Sequence, residues 1–160
     1  MSHWIYKNEI VTEIPDDVEG FIYIITNNVT GRKYIGRKYV KSTKRKPLTA
    51  KQKREGKVRR TRVTTESNWR TYTGSNKNMN SDIKELGKDK FTFEIITYAR
   101  TKAQINYLEM FMQFITHSII KNDYYNDTIG SNKFTTMILT GLHESICKID
   151  EKYITNCLVI

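Results

Sequence analysis

Residues 21–36 read FIYIITNNVTGRKYIG. The first six are a β-branched and aromatic run of the kind that forms a buried or half-buried strand. Residues 27–31 are polar and end in glycine, the residue best suited to positive φ, after which 33–35 resume an extended pattern. A β-hairpin is the simplest account. It sets Tyr23 and Tyr34 on neighbouring strands, and Gly36 either ends the second strand or lets a backbone or substrate approach closely.

The second strand opens into the most basic part of the chain. Lys and Arg total 27 against 17 acidic residues in a chain of 160, a formal charge of +10. Residues 32–62 hold fifteen Lys/Arg against the single acid Glu55, and the remainder of the chain is net negative. A block of such density repels itself unless it is solvated or neutralised, so a phosphate backbone is a natural partner with salt-dependent binding. An anionic membrane is excluded as partner, because Leu48 and Val58 are almost the only large apolar residues in the block. Cys147 and Cys157 have neither ligand-like spacing nor a histidine cluster nearby, which excludes a zinc site or disulfide scaffold. With no signal-like or membrane-length apolar run, a reducing, cytoplasmic location is expected.

The length fits one core rather than two domains. Residues 1–19 read as a lead-in without function, and 20–130 as the domain, with a basic insertion at about 37–66. In the insertion, Pro47 precedes a short helix stopped by Gly56, with flanking basic residues that order only on DNA. Ser75 caps a helix over 76–86 with Met79, Ile83 and Leu86 as its apolar stripe, and 91–98 form a third strand. Thr101 and Gln104 make a capping box for a helix over 102–115, whose buried face has Ile105, Leu108, Met112 and Ile115 as its spine. Residues 131–160 read as an extension packed on the domain, with a helix through Leu142 and a final strand. The order predicts a small α/β (α+β) domain: a three-stranded mixed or antiparallel sheet flanked by helices, with the basic insertion after the first hairpin. Glu109 lies at the edge of the apolar stripe of the second long helix, a place where a carboxylate wants a metal or basic partner.

Phe21-Ile22-Tyr23 and Tyr34-Ile35-Gly36 resemble the two signature tripeptides of the GIY-YIG endonuclease family. Phe21 stands where the family name has Gly, although Gly20 immediately precedes it. The resemblance extends over roughly 20–130, and the basic insertion followed by Trp69-x-x-Tyr72-x-Gly74-Ser75 is similar to phage-type homing and free-standing (Seg-like) nucleases of that family. It implies a DNA endonuclease, phage-encoded, that uses one Mg2+ or Mn2+ ion to hydrolyse a phosphodiester of double-stranded DNA. Such a chain acts as a monomer or as a homodimer induced by DNA.

The same resemblance implies roles for individual residues. Tyr23 matches the tyrosine that acts as, or helps position, the general base, and Tyr34 the second tyrosine lining the site. Glu109 matches the metal-binding glutamate, and Asn126 the asparagine that holds the site together. The essential arginine falls on Arg45 or Arg37, with Arg54, Arg59, Arg60 and Arg62 as further candidates, because a planar guanidinium grips two phosphate oxygens where lysine cannot. Lys38, Lys41, Lys44, Lys46, Lys51, Lys53, Arg54, Arg59, Arg60 and Arg62 are expected to track the DNA backbone. Trp69 and Tyr72 are expected to close the core rather than stack on a base. The competing class is a catalytically inactive DNA-binding module of the same fold, which has no need to combine Tyr23, Tyr34, Glu109 and Asn126.

Overall fold

The hairpin read from 21–36 is the centre of the sheet's site-bearing half. In the computed structural model, which describes residues 3–58, 61–130 and 132–133, strand β3 (Gly20–Asn27) pairs antiparallel with β4 (Lys33–Tyr39), and Tyr23 faces Gly36 across the ladder. The turn is fixed by Asn27, whose buried Oδ1 accepts from the backbone N–H groups of Val29 and Thr30 at 3.0 and 3.2 Å. Gly31 then takes φ +74°, as the turn requires.

The sheet has five strands, not the three expected. β1 (Ile5–Tyr6) and β2 (Glu9–Ile10) come from the presumed lead-in, and β7 (Phe91–Ala99) joins them to the hairpin in the order β2-β1-β7-β3-β4. Pairing is antiparallel except for the β1–β7 bridge Ile5↔Glu94. Two-residue strands are too short to show alternation, so their place is set by burial: Trp4 is fully buried and its Nε1 donates to the Trp69 carbonyl at 2.7 Å.

The two sheet faces carry separate cores. One gathers Trp4, Phe21, Tyr23, Ile25, Trp69 and Met79 beneath α2 (Lys77–Leu86), whose partly buried Ile83 and Leu86 pack there as expected. Its N-cap is Asn76, accepting from Met79 N–H at 3.0 Å, and not Ser75, which is engaged elsewhere. The other face packs Ile22, Ile35 and Ala99 against α3 (Lys102–Ile115), with Leu108 and Met112 at its margin. The Thr101–Gln104 cap is present. The buried positions of α3 are Ile105, Glu109 and Gln113, four residues apart, and this rotation leaves Ile115 about half exposed instead of closing the spine.

The basic insertion carries secondary structure beyond the short helix expected. β5 (Lys41–Lys46) and β6 (Thr61–Glu66) form their own two-stranded ribbon, and α1 (Ala50–Arg54) between them carries a complete capping box from Thr49 and Gln52. A last pair, β8 (Thr128–Ile129) and β9 (Asn132–Lys133), ends the described chain. The expected helix through Leu142, the final strand, both cysteines, and Arg59 and Arg60 lie outside the described residues.

Candidate active site

Side chains alternate along β4, the outer strand of the sheet, so it serves both faces. Tyr34 and Gly36 share a face with Tyr23; Arg37 shares the other with Ile35 and α3.

On the first face Tyr23 is 1% exposed, enclosed by Trp4, Tyr34 and Tyr72 at ring-centroid distances of 4.9, 6.1 and 6.2 Å. Its hydroxyl is turned toward Tyr72 and lies against Gly36, where an added Cβ would stand only 2.5 Å from it. Glycine is needed here for space. Burial, then the neighbouring phenols, push Tyr23 well above the ordinary phenol range. Tyr34 is less enclosed; its hydroxyl pairs with Ser75 Oγ at 3.0 Å, and burial raises it as well. Desolvation therefore disfavours the phenolate that a free-standing general base would need.

On the second face Glu109 is 8% exposed, and its Oε2 accepts from Arg37 Nη1. Desolvation holds this carboxyl above the usual range despite the opposing pull of Arg37. The two halves are near enough that the Glu109 charge contributes to raising both phenols. Asn126 holds β4 in place from outside: its Oδ1 accepts from Ile35 N–H at 2.9 Å and its Nδ2 donates to Ile35 C=O at 2.7 Å, pairing side chain to backbone like an extra strand.

A family model described as "Putative endonuclease segE, GIY-YIG domain" matches residues 4–129, a span that contains both tyrosines, Arg37, Glu109 and Asn126. The chain belongs to the GIY-YIG nuclease domain family. Comparison with curated proteins and with solved structures returned no match.

The GIY-YIG tripeptides thus bring Tyr23, Tyr34 and Gly36 together, and Arg37 is the arginine that meets Glu109. Arg45 is exposed on the ribbon, directly opposite Arg62, with no side-chain hydrogen bond or ion pair to a described residue. Lys38 Nζ donates to Asn68 Oδ1 at 2.7 Å and lies 3.9 Å over the Tyr72 ring. Lys38, Lys41 and Lys44 line a cleft with Arg37, Tyr72 and Lys102, while Lys51, Lys53 and Arg54 are exposed at the basic end of α1, and Lys46 ends β5.

The structure adds three neighbours to the two tyrosines: Trp4, whose place sequence reasoning missed, and Tyr72 pack on Tyr23, and Ser75, read as a helix cap, holds Tyr34 instead. The only signal was their company: the Trp69–Ser75 stretch follows the insertion and so must return to the core beside the hairpin. Trp69 is buried, as expected of a residue that closes the core.

Among the described residues no group of three or more His, Cys, Asp or Glu is placed to hold a metal. A single recessed carboxylate fits a hard, mostly hydrated cation such as Mg2+ that takes its remaining ligands from substrate phosphate and water.

Proposed function

We propose that this chain is a divalent-metal-dependent DNA endonuclease. The observation that carries the reading is the Arg37–Glu109 pair on the α3 side of β4, whose opposite side presents the Tyr23–Gly36–Tyr34 cluster. An inactive binding module needs neither a recessed carboxylate nor a buried phenol whose hydroxyl is turned toward a cleft.

Glu109 would hold Mg2+ or Mn2+. When bound, the ion supplies charge stabilisation at a non-bridging phosphate oxygen and the leaving 3'-oxygen. Arg37, released from Glu109, grips the scissile phosphate with its planar fork. Tyr23 stays a neutral phenol and works as a relay: its oxygen takes the proton of the attacking water as its own proton passes to Tyr72, and Tyr72 in turn gives up its phenol proton to bulk water in the Arg37–Lys38 cleft on which it opens. Tyr34, steadied by Ser75, donates to the phosphate or the attacking water. Asn126 positions rather than reacts, since both ends of its amide are spent on Ile35. Lys38, Lys44 and Lys102 around the cleft meet the backbone of double-stranded DNA. One such centre per chain gives one nick per engagement.

The test is nicking of supercoiled plasmid by the purified protein with Mg2+ or Mn2+. Tyr23→Phe and Glu109→Ala are each expected to lower the rate by about 100-fold or more while DNA binding persists. Absence of nicking by the wild-type protein under either cation would overturn the enzyme reading and leave the binding module.

A further inference from the structure

The ribbon formed by β5 and β6 is built unlike the rest of the molecule. Most of its residues are exposed on both faces, it forms no part of the main sheet, and two-stranded ribbons are marginal on their own. Its root is nevertheless tied down. Lys41 Nζ donates to the Asp16 carbonyl at 2.9 Å, Glu66 Oε1 accepts from Trp69 Nε1 at 2.7 Å, and Ser67 Oγ donates to the Tyr39 carbonyl at 2.6 Å. The ribbon therefore has a set direction relative to the Arg37 cleft.

Residues directly opposite one another in an antiparallel pair share a face. One face carries, from root to tip, Lys41–Glu66, Thr43–Thr64 and Arg45–Arg62; the other carries Ser42–Thr65, Lys44–Val63 and Lys46–Thr61. On the first face the root pair is spent on anchoring, and the threonine hydroxyls are 3.0 Å apart. The tip pair is two like charges set side by side. Such a pair is destabilising, and no acid among the described residues relieves it. Two arginines whose Cβ atoms stand about 5 Å apart on one face of a narrow ribbon suit adjacent base edges, because a two-stranded ribbon fits the DNA major groove and arginine pairs bidentately with guanine O6 and N7.

Resting on the nuclease reading above, we infer that the ribbon enters the major groove and that Arg45 and Arg62 read guanine there, so that the insertion sets sequence preference as well as affinity. Arg45 stands four residues beyond the root, about 13 Å at 3.3 Å per residue. Even with its side chain laid along the ribbon it reaches no more than about 20 Å, or six steps of about 3.4 Å along a duplex. The preferred bases therefore lie within about six base pairs of the cut. Lys44, on the other face and lining the cleft, meets phosphate.

The experiment is cleavage of a randomised duplex library with Mg2+, followed by sequencing of the cut ends, for wild type, Arg45→Ala, Arg62→Ala and Lys44→Ala. Wild-type products are expected to be enriched in guanine at one or two positions within six base pairs of the cut, by roughly 5- to 150-fold. Each arginine variant loses one of these preferences, whatever the change in total rate, and melts at or above the wild-type temperature because a like-charge contact has gone. Lys44→Ala keeps the preference, binds every sequence more weakly, and shows a salt slope smaller by about one. Unselected wild-type products, or a preference that survives in both arginine variants, would overturn the inference and leave the nuclease standing. A wild-type protein that cuts nothing with Mg2+ or Mn2+ would remove the nuclease reading and the inference with it.

Discussion

Replacing Gly36 with alanine adds one carbon where it would stand 2.5 Å from the Tyr23 hydroxyl, 2.7 Å from its Cζ and 3.0 Å from Tyr34 Cε1. Carbon atoms in good contact sit at about 3.5–4.0 Å, so the tip of Tyr23 must move by about 1 Å. It has nowhere to go, because Trp4 and Tyr72 close its other sides. Gly36 is not one of the positive-φ glycines, so the penalty is steric and not conformational. Overpacking of this kind costs about 1–3 kcal/mol, which at this chain length lowers Tm by roughly 2–12 °C. The cause is separable by a double-mutant cycle. In the glycine background Tyr23→Phe removes a buried hydroxyl beside Tyr72 and costs about 0.5–1.5 kcal/mol. In the alanine background the same change also removes the atom nearest the new methyl, so it costs less or stabilises, with a coupling of about 0.5 kcal/mol or more. Urea unfolding followed by tryptophan fluorescence reads all four proteins, with Trp4 beside Tyr23 as reporter. Unfolding of Gly36→Ala at the wild-type midpoint, or a cycle additive within about 0.3 kcal/mol, would refute the packing argument.

Asn126→Ala leaves the buried N–H of Ile35 without its partner and its C=O with only the 3.4 Å bond from Gln113 Nε2; about 2–4 kcal/mol of stability is expected to be lost, measured by the same unfolding assay. Trp4→Ala removes a fully buried ring from behind Tyr23 and is expected to cost about 3–5 kcal/mol by calorimetry, a large effect for a residue in an apparent lead-in. Glu109 titrates above the ordinary glutamate value of about 4.3, because burial opposes its charge. Since the folded value is raised, the protonated form is favoured in the fold, and this group's contribution to stability falls as pH rises from the unfolded value through the folded one. Under the proposed mechanism the carboxylate form is required, so nicking is expected to fall as pH drops through that raised value. A carbon-13 NMR titration is expected to place the midpoint above 4.3, and higher again in Arg37→Gln, where the opposing charge is gone.

The hairpin was legible because β3 and β4 are rich in β-branched and aromatic residues and their turn has a glycine where positive φ is required. The long helix was legible for a similar local reason, its Thr101–Gln104 cap. β1 and β2 were not, since two residues cannot display a period and the Ile5↔Glu94 pairing spans most of the domain. The ribbon was missed because a lysine-rich strand exposed on both faces shows no alternation of apolar and polar residues. Within the site, the tyrosines, Glu109 and Asn126 came from the motif, whereas the motif left the arginine open between Arg45 and Arg37. The fold separates the two: β4 runs to Tyr39, so Arg37 remains on the strand, facing α3, and Arg45 is carried out along the ribbon. Tyr72 and Ser75 act on partners that are forty or more residues away, and no local pattern records that.

A crystal structure with cleavable double-stranded DNA and calcium, which occupies the cation site without supporting rapid turnover, tests the central claim most directly. The account predicts a Glu109 oxygen at about 2.3–2.6 Å from the cation, the Arg37 guanidinium on the scissile phosphate, and Tyr23 bonded to the attacking water or to its relay partner Tyr72. Glu109 remote from both cation and phosphate, or Arg45 gripping the scissile phosphate in place of Arg37, would contradict it.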